Sequence, residues 1–173
     1  MRIAEAAVTA GLLAVSVGVV GAVGAATRLD RLHVRTDASW AALDAALCHR
    51  ARVVSALDGA GPSGGGLHGA ADAALSAGGT DVPLRAGAHA AREEVENELG
   101  RALALLNRAE LEPACARWLA DAEQRVVIAR RVYNDAVRDT LALRSHLTVR
   151  WLQLAGRAPL PRYFEIAEPM LQS

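Results

Sequence analysis

Between Pro113 and Ala155 the apolar side chains recur at alternating intervals of four and three residues. Leu119, Val126, Tyr133, Thr140, Leu147 and Leu154 form one column, and Cys115, Ala122, Ala129, Ala136 and Leu143 form its neighbour. This spacing belongs to a helix that buries one stripe against other helices, and it predicts a single long helix over the whole stretch. One column is bulky and the other mostly small, so a partner helix approaches closely on one side and interdigitates on the other. Pro113 suits the first turn, where its missing N–H would have no intrahelical partner anyway.

The same period returns upstream. Leu29, Leu32, Thr36, Trp40, Leu43, Leu47, Val54 and Leu57 predict a first bundle helix. Arg50 interrupts its stripe where a heptad position should be filled, and its expected role is a charge pair or a stem laid along the bundle surface. Leu84 to Ala109 predicts a further helix through Val95, Leu99, Ala102, Leu106 and Ala109, with Glu93, Glu94, Glu96 and Glu98 in its first half, where the helix dipole favours acids. Between these two, Gly59 to Pro83 holds eight glycines and two prolines and reads as a linker or mobile loop. Within it, Leu67 to Ala77 forms a short Ala-rich helix only if it is packed. Gly156, Pro159 and Pro161 stop the last helix, after which Tyr163, Phe164 and Ile166 are expected to fold the tail back onto the bundle.

Ahead of the first bundle helix, Ala6 to Ala26 carries no charge over twenty-one positions. At about 1.5 Å per residue that run crosses a hydrocarbon core of about 30 Å. It exceeds the usual signal-peptide core of about 7 to 15 residues, which favours an uncleaved anchor over the alternative, a cleaved secretory signal. No Gly or Pro lies between Ala25 and Asp58, so span and first bundle helix are predicted to form one rod. Arg28, Arg31 and Arg35 follow the span, against Arg2 before it, which places the bundle on the cytoplasmic side of a single-pass cell-membrane protein. The expected architecture is all-α. A transmembrane anchor (1–27) continues into an antiparallel up-and-down bundle (28–158) of three long helices, with a short fourth in the Gly-rich loop (59–83), and a C-terminal tail (159–173) follows.

Composition narrows the function more than the fold. Just over half of the 173 residues are hydrophobic, enough for a real core, and nineteen arginines balance nineteen acids with no lysine at all. A chain without net charge lacks the basic footprint of a dedicated nucleic-acid binder. Cys48 and Cys115 are too few for a disulfide framework and have no Cys-x-x-Cys partner. Gly59-Ala-Gly-Pro-Ser-Gly64 matches a dinucleotide fingerprint in letters, but that site needs a strand before it and a helix directly after it, and here a heptad helix precedes. His33, His49, His68, His89 and His146 are scattered, with no metal-ligand spacing and no nucleophile motif nearby. No cofactor, metal or catalysis is expected. Trp40 and Trp118 fall on or beside the seams and are expected in the core, and Asp121–Arg125 and Arg131–Asp135 are spaced to pair on the exposed face of the last helix. Between Asp139 and Glu165 lie Arg144, Arg150, Arg157 and Arg162 and no acid. These form a solvated helix end or, in the sharper reading, a contact for acidic lipid or an acidic partner.

Glu123-Gln-Arg125 followed by Ala129-Arg-Arg-Val-Tyr-Asn-Asp-Ala-Val137 resembles the E-N-R-I-x-x-A-R-R-x-Y-N-x-x-V signature of the LemA family. The likeness continues at Asp37-Ala-Ser-Trp40 with Asp44 and Leu47, at Glu96-Asn-Glu-Leu99 and at Pro161-Arg-Tyr-Phe-Glu165. It implies a membrane anchor followed by an antiparallel helical bundle, in a family whose biochemical role is not established. Where the family usually has Leu-Ile-Pro-Asn-Leu-Val, this chain has Val53-Val-Ser-Ala-Leu57, and a second family proline is replaced near His146-Leu147, which predicts an unbroken last helix. The Gly-rich middle loop stands where the family has a second helix. The residues singled out are Arg130, Arg131, Tyr133, Asn134 and Asp135, with Tyr133 and Asn134 expected to hydrogen-bond the first helix near Asp37 or Asp44, beside Trp40. The expected role is a structural or protein-interaction module, held in the bilayer by residues 6–26 and partnered by another membrane or envelope protein. The alternative is a secreted soluble bundle that binds a small ligand between its helices.

Overall fold

The computed structural model describes residues 2–57, 64–79, 86–145 and 159–167. Among them the chain is helical, in the order α1 (Arg2–Ser55), α2 (Gly64–Ala77), α3 (Ala86–Ala104), a 3-10 turn (Arg108–Glu110) and α4 (Pro113–Ser145). The stretch 146–158 lies outside the described residues. With it fall the expected continuation of the last helix to Ala155, the seam positions Leu147 and Leu154, Trp151, and the basic residues Arg150 and Arg157.

α1 is continuous over 54 residues. From Gly11 onward it includes a stretch of mean hydropathy 1.8 that is long and apolar enough to cross a membrane, a property shared by signal sequences and by core helices of soluble proteins. Only 7% of that stretch is buried, and Leu12, Leu13, Val19, Val20 and Val23 are exposed. Beyond Leu29 the same helix becomes a core element. Leu29, Thr36, Leu43, Arg50 and Leu57 are buried at seven-residue intervals, with Leu47 and Val54 alongside.

The core has two parts. Leu43 and Leu47 of α1 pack with Val126, Tyr133 and Val137 of α4 and with Phe164 of the tail. Ala51, Val54 and Leu57 pack with Leu67, Ala71 and Ala74 of α2, Leu99 and Leu103 of α3 and Leu119 of α4. α1 packs on α4 and on α2, and α2 packs on α3. Thr36 meets Thr140 at 3.0 Å between hydroxyls, and Arg35 meets Asp139 at 3.1 Å. The described seam positions of α4 behave as their period requires: Leu119, Ala122, Val126, Tyr133, Ala136 and Thr140 are all buried.

The short helix expected in the Gly-rich loop if it packs is present as α2, because Leu67, Ala71 and Ala74 give it a buried face that supports fourteen residues too short to hold alone. Three expectations change. α3 ends at Ala104 and not Ala109, since the Asn107 side chain caps the following 3-10 turn by accepting from Ala109 N–H and so competes with helix continuation. Trp118 is 64% exposed, one position before the seam residue Leu119 and turned outward by about 100°. Arg131 is not the partner of Asp135, which pairs with Arg138 at 3.0 Å, whereas the expected Arg125–Asp121 pair forms at 2.7 Å.

Candidate functional site

The α4 seam carries Tyr133 into the interior, and Asn134, one step round the helix, meets the tail. Phe164 N–H donates to Asn134 Oδ1 at 2.9 Å and Asn134 Nδ2 donates to the Phe164 carbonyl at 3.2 Å, so one carboxamide satisfies both backbone groups of one residue. Tyr133 OH donates to the Arg162 carbonyl at 2.8 Å. From α3, Glu93 accepts from Glu165 N–H at 2.7 Å and Asn97 from Ala167 N–H at 2.8 Å, while Arg144 donates to the Pro159 carbonyl at 3.0 Å. The extended tail thus has its backbone polar groups met by side chains of two helices, and it places Phe164, fully buried, in the core.

This overturns the expected pairing of Tyr133 and Asn134 with α1. Their partners are on the tail because the tail, not α1, presents unpaired backbone groups at that height of α4. Asp37 stays exposed on α1 and reaches Tyr133 only through its charge. Burial first, then Asp37 and Glu93, push the Tyr133 phenol well above its ordinary pKa. Asp44 instead contacts Arg92 at 3.3 Å and accepts from Gly79 N–H at 2.9 Å.

Trp40 lies between these groups. It stacks on the His89 ring with centroids 4.2 Å apart and meets Tyr133 and Phe164 edge-on at 5.4 and 5.5 Å. His89 is buried, and neither ring nitrogen has a hydrogen-bond partner among the described residues. Burial lowers its pKa from the ordinary value, Glu93 opposes that shift and Arg162 adds to it. A cavity of about 370 Å³ opens beside it, lined also by Glu93, Arg162, Tyr163 and Glu165.

Below the aromatic group sits a set of buried charges. Arg50, 4% exposed, donates to Glu96 at 2.5 Å, and Arg92 stands 3.1 Å from the other oxygen of the same carboxylate. Arg92 also donates to the Ala74 carbonyl at 2.5 Å and lies 3.7 Å from Cys48 Sγ, joining α1, α2 and α3 through one guanidinium. Arg50 therefore has the charge pair its position called for, but inside the bundle and not along its surface. Breaking such a pair leaves an uncompensated charge and costs on the order of 3–5 kcal/mol. The signal was present in the sequence: His89, Arg92, Glu96, Leu99 and Leu103 continue one three-four spacing, and only the polarity of the first three hides the seam.

A second cavity of about 330 Å³ lies where α4, α1 and the tail meet. Arg130 and Arg131 line it, together with Arg50, Arg108 and the single carboxylate Glu123. Arg108 grips Glu123 with two bonds of 2.7 and 2.8 Å, a pairing that raises the arginine's pKa. The structure thus brings together Tyr133, Asn134 and Trp40 at the tail, and Arg130 and Arg131 at this cavity. Asp44 belongs to the buried charges, Asp37 and Asp135 lie on exposed faces, and Arg144 and Arg162 are engaged with the tail segment. Compared with protein-family models, with curated proteins and with solved structures, the chain matches none.

Proposed function

We propose that this chain is a membrane-anchored, LemA-like module whose antiparallel helical bundle holds another membrane or envelope protein, and that it performs no reaction. The observation that carries the reading is the continuity of α1: one helix is apolar and exposed around Leu12 to Val23 and becomes the bundle's main wall from Leu29 onward. A bilayer accounts for the exposed apolar part at no cost, whereas water would leave several large apolar side chains solvated. The antiparallel arrangement is supported by contact order, since residues late in α1 (Ala51, Val54) share a cluster with Leu119 early in α4, and Thr36 pairs with Thr140 late in α4. Support for an interaction role comes from the motif itself. Its Tyr133 and Asn134 hold the chain's own tail through backbone-directed hydrogen bonds, a kind of contact suited to holding a peptide segment and not to a reaction. The excess of Arg28, Arg31 and Arg35 after the span over Arg2 before it favours the cytoplasmic side for the bundle.

Intact-mass measurement of the membrane fraction, followed by crosslinking in native membranes, tests this. The expected result is a membrane-bound chain retaining residues 1–27 and a reproducible crosslinked membrane partner. A soluble chain lacking its first twenty-odd residues would replace this reading with the secreted one.

A further inference from the structure

The cavity walled by Arg130 and Arg131 goes beyond the module role, and the geometry points to a binding site for a small anion, a carboxylate or phosphate monoester, that carries an apolar group. Four arginines and one glutamate line the same space of about 330 Å³. Two of the four are already held in place: Arg108 by its double bond to Glu123, and Arg50 by Glu96 behind it. Guanidiniums fixed in this way keep their planar forks oriented, which is what recognition of a carboxylate or phosphate requires. Arg50 adds a second sign. It is 4% exposed and paired with Glu96, and its Nε has no hydrogen-bond partner among the described residues. A buried donor left in this state gains from an acceptor nearby.

The rest of the wall sets the other half of the ligand. Val126, Val127 and Ile166 line the same cavity, so a fully hydrated inorganic ion would leave apolar surface uncovered, and an aromatic or short aliphatic group covers it. The volume is at the lower end of the range for small-molecule sites. Arg50 stands twenty-four residues beyond Ala26 along α1, roughly 35 Å at the helical rise, so the headgroups of a bilayer holding residues 6–26 do not reach it. Two sources of this chemistry remain: a free molecule, and the chain's own Glu168, which follows the wall residue Ala167 in sequence.

The test is isothermal titration of the full chain in neutral detergent with phenyl phosphate and with benzoate. Inorganic phosphate and benzyl alcohol serve as comparators that each lack one half of the ligand. Saturable binding of the first two, with the comparators at least about tenfold weaker, is expected. Arg131→Gln, at an exposed position, should weaken binding by about tenfold or more without changing the melting temperature, and Arg130→Gln should weaken it likewise. A chain shortened after Ala167 separates the sources. Equal binding by both chains assigns a free molecule, and binding confined to the shortened chain upholds the site and assigns residues 168–173 as its occupant. No saturable binding by either chain, or affinity unchanged in both arginine variants, overturns the proposal. None of these outcomes depends on whether the chain fractionates with membranes, so this inference and the module reading fail separately.

Discussion

Asn134 does for the tail what a neighbouring strand does in a sheet, offering one donor and one acceptor to the two backbone groups of Phe164. Asn134→Leu keeps the volume and removes both bonds, leaving backbone groups of a buried residue unpaired. The expected loss is about 2 kcal/mol in denaturant unfolding, and a loss below about 0.5 kcal/mol would show that solvent already serves those groups. His89 makes a different kind of contribution. Its folded pKa lies below the ordinary 6.5, so in the window beneath 6.5 the unfolded chain binds more protons than the folded one. Stability from this ring is complete above that window and falls as the pH is lowered through it, with Glu93 working against the effect and Arg162 with it. Between about pH 7.5 and pH 5.5 the wild-type midpoint should drop further than that of His89→Asn. Equal drops would assign the acid sensitivity to the carboxylates instead.

At the scale of elements, α2 is the piece whose existence depends most on its neighbours. Gly64–Ala77 has little but alanine and glycine to offer, and it holds because Leu67, Ala71 and Ala74 reach a core already walled by α1 and α3. Its end is fitted tightly. A Cβ on Gly78 would stand 2.2 Å from Cys48 Sγ on α1, and Gly79 adopts φ +70, where residues with side chains are strained. Gly78→Ala should therefore destabilise by about 1–3 kcal/mol through overpacking. Removing the obstructing sulfur with Cys48→Ala in the same chain should restore most of that loss. A double variant no better than the single one would place the strain at the Arg92 guanidinium, 3.2 Å from the same point. α4 needs no such help, since its described seam is apolar and regular from Leu119 to Tyr133 and closes with Thr140 on Thr36.

For the whole molecule, packing runs from α4 to α1, from α1 to α2 and from α2 to α3, and the tail bridges the remaining side with hydrogen bonds to both α3 and α4. Nine described residues, 159–167, thus complete an enclosure that the helices alone leave open. The antiparallel order proposed for α1 and α4 has a direct check. In a chain whose Cys48 and Cys115 are replaced by Ser, Thr36→Cys with Thr140→Cys should form a disulfide on mild oxidation, because the two hydroxyls sit 3.0 Å apart. Closing that 104-residue separation should raise stability by up to about 4 kcal/mol. Failure of the pair to bridge, with the reduced chain still folded, would mean that α1 and α4 are not aligned in this register.

Periodicity determined that this chain is helical and that α4 has a seam, because a helix repeats every 3.6 residues whatever it packs against, and the absence of Gly and Pro between Ala25 and Asp58 determined that α1 runs on from its apolar start. The tail's return was also legible, since Tyr163-Phe164-Glu-Ile166 puts apolar side chains after a helix stop. Which groups would receive it was not: Asn134 could meet α1 or the tail with the same local geometry, and only the assembled bundle decided. The same holds for Arg50, Arg92 and Glu96, whose polarity reads as surface. Their three-four spacing put Arg92 and Glu96 on the seam of α3, but burial of a charge depends on what stands opposite it, here two helices away in sequence, and that the spacing does not encode.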